Sequence, residues 1–201
     1  MEIRERILNV AEKLFTKFGI RSVTMDEIAF ELGISKKTIY LNFEDKDAIV
    51  HEVASSRMSF ENVECERIYA ASENAIDEVF KVIEVFRTHS EKMNPMILYD
   101  LKKYHPKTWQ LFQEHKQTFF LENTTRNLRE GIEQGLYRSE INVEVLARLR
   151  MEEIDFAFDV SVFPPEKFNQ FDVQIAFFDH FFRGIMTEKG LDIYQNYKLN
   201  S

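Results

Sequence analysis

The sequence has little cysteine, glycine or proline: one, six and four residues among 201. A single cysteine, Cys65, cannot form a disulfide within the chain, as is usual for proteins of reducing compartments. Scarce glycine and proline disfavour a fold made of many tight turns and favour an all-α fold. No apolar run approaches the roughly 18 residues that a membrane helix needs. We therefore expect an all-α, cytoplasmic protein with no membrane partner.

Positive charge is also in short supply. The chain carries 26 basic and 34 acidic residues, for a net charge of −8, while its first fifty residues are close to neutral. Such a chain is not a general polyanion binder, so any nucleic-acid contact must come from local geometry. The charges within residues 1–20 also leave no apolar segment for a secretory signal, and we expect none.

Helical periodicity begins with the first residues. Apolar side chains spaced three and four apart predict a helix of about four turns that ends at Gly19. Thr24 and Glu27 then form the pattern of a capping box, which predicts a short helix ending at Gly33. The apolar positions of the first helix are Ile3, Ile7, Val10, Ala11, Leu14, Phe15 and Phe18.

Two further caps follow at short intervals. Ser35 can cap a third helix that reaches about residue 42, and Asp45 can cap a long fourth helix that reaches about residue 70. This order of helices predicts a helix-turn-helix within a three-helix bundle. Periodicity and the positions of proline predict further helices at about 74–92, 95–104, 106–133, 142–160 and 166–188, or about nine helices in all.

The third helix has the composition of a DNA recognition helix. Ile39 and Phe43 can face the bundle, which leaves the polar side chains near the N-terminus of the helix on its outer face. Lysine suits guanine and threonine suits a thymine methyl, whereas tyrosine, asparagine and a helix N-terminus suit phosphates. The predicted DNA-binding residues are Thr24, Ser35, Lys36, Lys37, Thr38, Tyr40, Asn42 and Lys46.

Taken together, residues 3–50 resemble the N-terminal signature of the TetR/AcrR family of transcriptional regulators. More than ten positions agree in register, from Ile7, Ala11, Leu14, Phe15 and Gly19 through Thr24, Ile28, Ala29, Gly33 and Ser35 to Tyr40, Phe43 and Lys46. The resemblance implies a helix-turn-helix DNA-binding domain over 1–46 and a helical effector-binding and dimerisation domain over 47–201. It also implies a homodimeric repressor that a small molecule releases from a near-palindromic operator. The acidic residues flanking Lys46 depart from the basic surface that such a domain would use, and they predict salt-sensitive binding.

A heptad-like seam in the last predicted helix suggests a dimer interface. Steps of three and four join its apolar residues without a break, and the helix is apolar over much of its circumference, which favours cover on two sides. The alternative is a helix buried wholly within one chain. The seam consists of Phe168, Phe171, Ile175, Phe178, Phe182 and Ile185.

An effector pocket is harder to predict, because a ligand site and a core use the same apolar side chains. The abundance of aromatic rings favours a flat or apolar effector. The candidate lining residues are Met96, Tyr99, Trp109, Phe112, His115, Phe119 and Phe156.

Enzymatic function has little support in the sequence. His51 and Glu52 begin a zinc-protease motif whose second histidine is missing, and no glycine-rich phosphate loop is present. We therefore expect no catalytic residues, no metal and no cofactor. The alternative to a regulator is a helical ligand-binding or interaction protein that has lost DNA binding.

Overall fold

The computed structural model describes residues 2–90 and 93–200, with only the backbone described for 89, 90 and 198–200. The described residues form helices joined by turns and loops, with one isolated antiparallel bridge between Tyr137 and Met186. None of its described helices combines the length and the apolar character needed to cross a membrane. In chain order the helices are α1 (Ile3–Phe18), α2 (Met25–Leu32), α3 (Lys36–Tyr40), α4 (Lys46–Ala70), α5 (Ala75–Ser90), α6 (Ile97–Tyr104), α7 (Pro106–His115), a π-helical turn (Lys116–Phe120), α8 (Leu121–Glu133), α9 (Val143–Ala157), α10 (Gln170–Ile185) and α11 (Glu188–Asn200).

The predicted all-α fold is confirmed, and the main difference lies at its C-terminal end. The helix predicted over 166–188 ends at Ile185, and α11 follows it. The chain turns here because Met186 is extended and the N–H of Thr187 donates to the carbonyl of Leu136 at 3.0 Å. Gly190 lies inside α11, where a Cβ would come within 2.2 Å of the Leu136 carbonyl oxygen.

The described residues pack as two compact units. The first combines residues 2–61 with 93–114, and the second combines 62–90 with 115–200. By packing, the first unit therefore extends along α4 beyond residue 46 and also includes α6 and most of α7. The functional boundary predicted at residue 46 stays a prediction.

The core of the first unit joins α1 to the helix-turn-helix. Apolar side chains spaced three or four apart lie on one face of each helix, so burying them brings the helices together. The repeat of α1 buries Ile7, Ala11 and Phe15, while Phe18, predicted as part of the same face, is half exposed. The buried partners from the rest of the unit include Ile28, Ala29, Ile39, Phe43, Ile49 and Leu101.

Helix α6 is held against the helix-turn-helix by polar contacts as well as by Leu101. The N–H of Arg21 donates to the buried Asp100 carboxylate at 2.9 Å. Nδ1 of the buried His105, just after α6, lies 2.8 Å from Oδ1 of Asp47 at the start of α4. These contacts place a segment that is distant in sequence within the N-terminal unit.

The second unit has its own core around Tyr137. The hydroxyl of Tyr137 donates to Oδ1 of Asn127 at 3.1 Å, and burial raises the pKa of this phenol above its ordinary value. Its ring packs over Gly131 of α8, where a Cβ would come within 2.1 Å of a ring carbon. Buried residues of α10 complete this core, including Phe181, Phe182 and Ile185.

Candidate nucleic-acid interface

The start of α2 has the predicted capping box. The Glu27 N–H donates to Oγ1 of Thr24 at 3.2 Å, and the Thr24 N–H donates to the Glu27 carboxylate at 2.6 Å. Gly33 ends the helix with a left-handed backbone, φ 65°, that few residues other than glycine adopt. The tight turn between α2 and α3 thus follows from local sequence, and it sets the position of the next helix.

Helix α3 begins after the capping residue Ser35, and the lysines of its first turn are exposed to solvent. The Thr38 N–H donates to Oγ of Ser35 at 3.1 Å. Ile39 and Phe43 are buried as predicted, while Lys36 and Lys37 are exposed. A short helix with a buried rear face and lysines in its first turn has the form needed to enter a major groove.

Lys36 is engaged in an ion pair on this surface. Its Nζ donates to Oδ2 of Asp26 in α2 at 2.8 Å. This hydrogen bond raises the pKa of Lys36, although solvent covers both side chains. The pair joins the first turns of α2 and α3, so the carboxylate of Asp26 lies beside the predicted DNA face.

Four of the other predicted DNA-binding residues bond within the domain. The Asn42 amide donates to the Thr38 carbonyl at 2.8 Å, and Oγ1 of Thr38 is 2.8 Å from Oγ of Ser35. Lys46 donates to the Ile20 carbonyl at 2.6 Å, and burial lowers its pKa despite the nearby carboxylates of Asp100 and Asp47. Their contacts with DNA stay predictions.

Two exposed apolar residues of this region escape prediction from the sequence. Leu41, next to the half-exposed Tyr40, is 77% exposed, and Phe30 of α2 is 86% exposed. Tyr40 and Leu41 extend the exposed face beyond Lys37, where an apolar side chain suits a thymine methyl. A helical repeat indicates which residues can be buried but does not identify an apolar residue that stays outside.

Comparison with known proteins decides the family. Residues 7–53, which span the capping box, the turn and α3, match the family model described as bacterial regulatory proteins, tetR family. Over 192 residues the chain is 26% identical to YvaF of Bacillus subtilis strain 168, named as an HTH-type transcriptional regulator. That match covers 94% of this chain and 98% of the relative. Residues 7–53 therefore form a helix-turn-helix domain of the TetR family of transcriptional regulators.

Solved structures show that the TetR-family fold continues through the C-terminal unit. A transcriptional regulator from Saccharomonospora viridis, solved with choline, has a TM-score of 0.74 and 19% identity over 92% of this chain and 98% of its own. FadR from Bacillus subtilis, solved with stearoyl-CoA, has a TM-score of 0.67 and 19% identity over 90% and 98%. These structures show the all-α fold of the chain, while the family model and the curated relative support its role as a helix-turn-helix DNA-binding regulator.

The predicted pocket residues are divided between the two units. Met96, Tyr99, Trp109 and Phe112 lie half-buried in the first unit, where the rings of Trp109 and Phe112 are 5.5 Å apart. In the second unit His115 stacks on Phe119 at 5.3 Å. Phe156 is half exposed and packs in a separate aromatic cluster with Phe163, Phe168 and Phe177. The pocket itself stays a prediction.

Two buried cations of the C-terminal unit are functional candidates that the sequence does not indicate. Lys116, in the π-helical turn beside His115, is fully buried, and its Nζ lies 2.6 Å from Oδ2 of Asp155. Arg150 is 4% exposed, with its guanidinium 3.9 Å from the centre of the Phe178 ring, and burial lowers its pKa. Buried charges need partners, and π-helical turns are frequent at functional sites.

The predicted dimer seam is partly covered by its own chain. Phe182 and Ile185 lie in the core of the second unit, and Phe178 packs against it. Phe171 and Ile175 are half-buried, and Phe168 is 42% exposed. Helix α9 adds exposed apolar side chains at Val145, Leu149 and Phe156.

Proposed function

We propose that this regulator is a homodimeric repressor that a small apolar or aromatic molecule releases from a near-palindromic operator. The observation that carries the proposal is the first turn of α3. Lys36 and Lys37 stand exposed there, while Ile39 on the opposite side is fully buried. A lysine in a major groove can donate to guanine O6 and N7 and so distinguish one sequence from another.

Dimerisation is supported by apolar side chains that lie outside the core of the second unit. Val145 and Leu149, one turn apart on α9, are 57% and 48% exposed. Phe156 on α9 and Phe168 just before α10 are further exposed apolar side chains of this unit. A second copy would bury this surface, and two recognition helices would reach half-sites about 34–36 Å apart or at a longer helical spacing.

Effector control is supported by the ligands of two proteins with the same fold, choline in one and stearoyl-CoA in the other. The second unit offers stacked rings at His115 and Phe119, next to the buried Lys116. A bound effector would favour a dimer whose recognition helices no longer match the operator spacing. Its effect on DNA affinity is limited by its own preference between the two states.

The location and the chemistry of the protein follow from the same proposal. A repressor acts on the chromosome, so we place this chain in the cytoplasm. It needs no catalytic residue, metal or cofactor for that role. Binding of DNA and effector alone would account for its activity.

The first experiment is a selection of bound sequences from random duplex DNA at low and moderate salt. Recovery of one near-palindrome at both salt concentrations supports a sequence-specific dimer, and that site can then be placed before a reporter gene to measure repression. Recovery of unrelated, salt-labile sequences alone would contradict the proposal. The recovered site also serves to screen apolar and aromatic compounds for release.

The selection needs a matched pair of variants. Lys36→Ala with Lys37→Ala removes the two exposed lysines of α3, and Lys13→Ala with Lys167→Ala removes two exposed lysines elsewhere. Both pairs change the net charge equally. Only the first should abolish recovery of the palindrome, since only those lysines can reach base edges.

A further inference from the structure

An apolar groove lies between α1 and α2, and Asp26 at its rim pairs with Lys36 of the recognition helix. Its volume is about 690 Å³, and Phe18 and Phe30 on its walls are 50% and 86% exposed. Scattered exposed apolar residues are ordinary, but two aromatic rings at one groove mark a surface that a partner can cover. The groove residues are Leu14, Phe18, Ser22, Val23, Asp26, Glu27, Phe30 and Glu31.

The groove carries mainly negative charge at its rim. Asp26, Glu27 and Glu31 contribute three carboxylates, and the nearby Lys17 lies 4.9 Å from the centre of the Phe18 ring. Carboxylates repel the phosphate backbone, so the groove is not an extension of the DNA face. The occupant that suits it best combines positive charge with an apolar or aromatic part.

Such a surface is present on the same unit, around the end of α6. The basic patch consists of Lys102, Lys103, Tyr104 and Lys107, all of them exposed. The patch lies beside the groove, because the guanidinium of Arg21, the residue before Ser22 of the groove, lies 5.2 Å from the centre of the Tyr104 ring.

We propose that two copies of this chain associate through these surfaces, with the groove of each receiving the basic patch of the other. The groove and the basic patch are neighbours with opposite charge. A two-fold axis passing between the two surfaces places the groove of one copy against the basic patch of the other, and the reverse contact forms at the same time. The contact buries Phe18, Phe30 and Tyr104, and it brings lysine ammonium groups to exposed aromatic faces. It uses only the first unit and does not depend on the dimer proposed through α9 and α10.

Sedimentation velocity on the full chain tests this association between about 5 and 200 µM, a range suited to a small interface. The wild type should show a concentration-dependent step to twice the mass, which weakens as salt rises. Phe30→Ser should weaken that step by about tenfold, as expected for loss of an aromatic anchor. Leu41→Ser is the matched control, because it removes another exposed apolar side chain of the same domain and should leave the step unchanged.

Charge reversal tests which surfaces meet. Glu31→Lys and Lys107→Glu should each weaken the step, and the double variant should recover most of the association if the two side chains face each other. Glu31 is chosen because Asp26 and Glu27 also hold Lys36 and the helix cap. Circular dichroism and thermal unfolding confirm that each variant is folded.

The outcome can be separated from that of the α9–α10 dimer. Leu149→Asp should reduce the mass at low concentration and keep the salt-sensitive step. A wild type without that step, or a Phe30→Ser variant with an unchanged one, would overturn the proposal. Without the step in the wild type, the groove would bind a different partner. With an unchanged step in Phe30→Ser, the two copies would associate through another surface.

Discussion

Nζ of Lys36 donates to Oδ2 of Asp26 across a distance of 2.8 Å. The lysine belongs to the predicted DNA face, and the aspartate belongs to the helix that precedes it. In the free protein, therefore, the Asp26 carboxylate is paired with the Lys36 ammonium group, which is the group that would bind DNA. Binding to DNA must break this pair or leave a negative charge close to the phosphates.

Asp26→Ala should accordingly tighten DNA binding. We expect a gain of about threefold to tenfold, because one exposed ion pair no longer has to be broken and one repulsion is removed. Fluorescence anisotropy with the selected operator measures the change. Glu31→Ala is the control, since it removes an equal charge from the same helix without releasing Lys36. Equal affinities for the two variants would show that the pair does not compete with DNA.

Removal of both lysines from the first turn of α3 should change specificity as well as affinity. Lys36→Ala with Lys37→Ala should cost about 1–3 kcal/mol of binding free energy for each base that a lysine recognises. For each phosphate that a lysine neutralises, the slope of log affinity against log salt should become shallower by about one. Affinity for the operator and for random DNA is measured across a salt series. An equal weakening on both DNAs would assign the two lysines to phosphates alone.

The sequence predicts this domain well because its signals are local. Thr24 with Glu27, and Ser35 with Thr38, are three residues apart, so each cap can be recognised from the sequence before any tertiary contact is known. Ile39 and Phe43 follow the helical repeat for the same reason. The exposure of Phe30 cannot be predicted in this way, since it depends on which residues pack around Phe30 in the folded domain.

Contacts between distant segments are harder to predict. Leu101 enters the N-terminal core from α6, and its sequence neighbours give no sign of that partner. The same holds for the seam of α10. Apolar residues spaced three and four apart predict a buried face, but they do not indicate whether the same chain or a second copy covers it. Phe182 and Ile185 are covered by their own chain. Lys116 is the converse case, since a charge normally indicates a surface position.

Leu149→Asp should prevent association through α9. Leu149 is 48% exposed in one copy, and burying a carboxylate against a second copy without a partner is strongly unfavourable. Sedimentation equilibrium at low micromolar concentration should show half the mass of the wild type. Val63→Asp, at an exposed apolar position of α4, should leave the mass unchanged. A Leu149→Asp protein of wild-type mass would remove α9 from the interface.

Gly131→Ala should destabilise the second unit through a steric clash. The new Cβ would lie 2.1 Å from a ring carbon of the buried Tyr137, and displacing that ring should cost about 3 kcal/mol of unfolding free energy. Gly184→Ala is the matched control, because a Cβ there meets open space. Alanine should stabilise this helical position by up to about 1 kcal/mol. Urea unfolding compares the two variants with the wild type.

Asp77 should make the stability of the second unit depend on pH. Burial raises the pKa of this carboxyl, but Lys81, the Glu73 N–H and the Tyr197 hydroxyl outweigh burial and hold the pKa below its ordinary value of 3.8. The stabilisation is therefore present above about pH 4 and disappears as the pH falls through the lowered pKa.

Asp77→Asn tests this dependence. Its free energy of unfolding should be lower than that of the wild type at pH 6, and the difference should shrink as the pH falls below about 4, because the unfolded wild-type carboxyl, which has the higher pKa, takes up a proton first. Asp172→Asn, at an exposed position of α10, serves as the control. A difference that stays constant from pH 6 to pH 3 would show that packing, not charge, explains the effect.

The packing of α6 on the helix-turn-helix has a practical consequence for chimeric regulators. A DNA-binding module cut after α3, or midway along α4, would lack Leu101. It would also lack Asp100, which accepts the Arg21 N–H, and His105, which lies beside Asp47. Grafting such a fragment onto another effector domain would pack the helix-turn-helix against a segment of that domain whose side chains are not complementary to it. Exchange of specificity is better made by replacing the exposed side chains of α3 alone, so that the domain keeps its own α6.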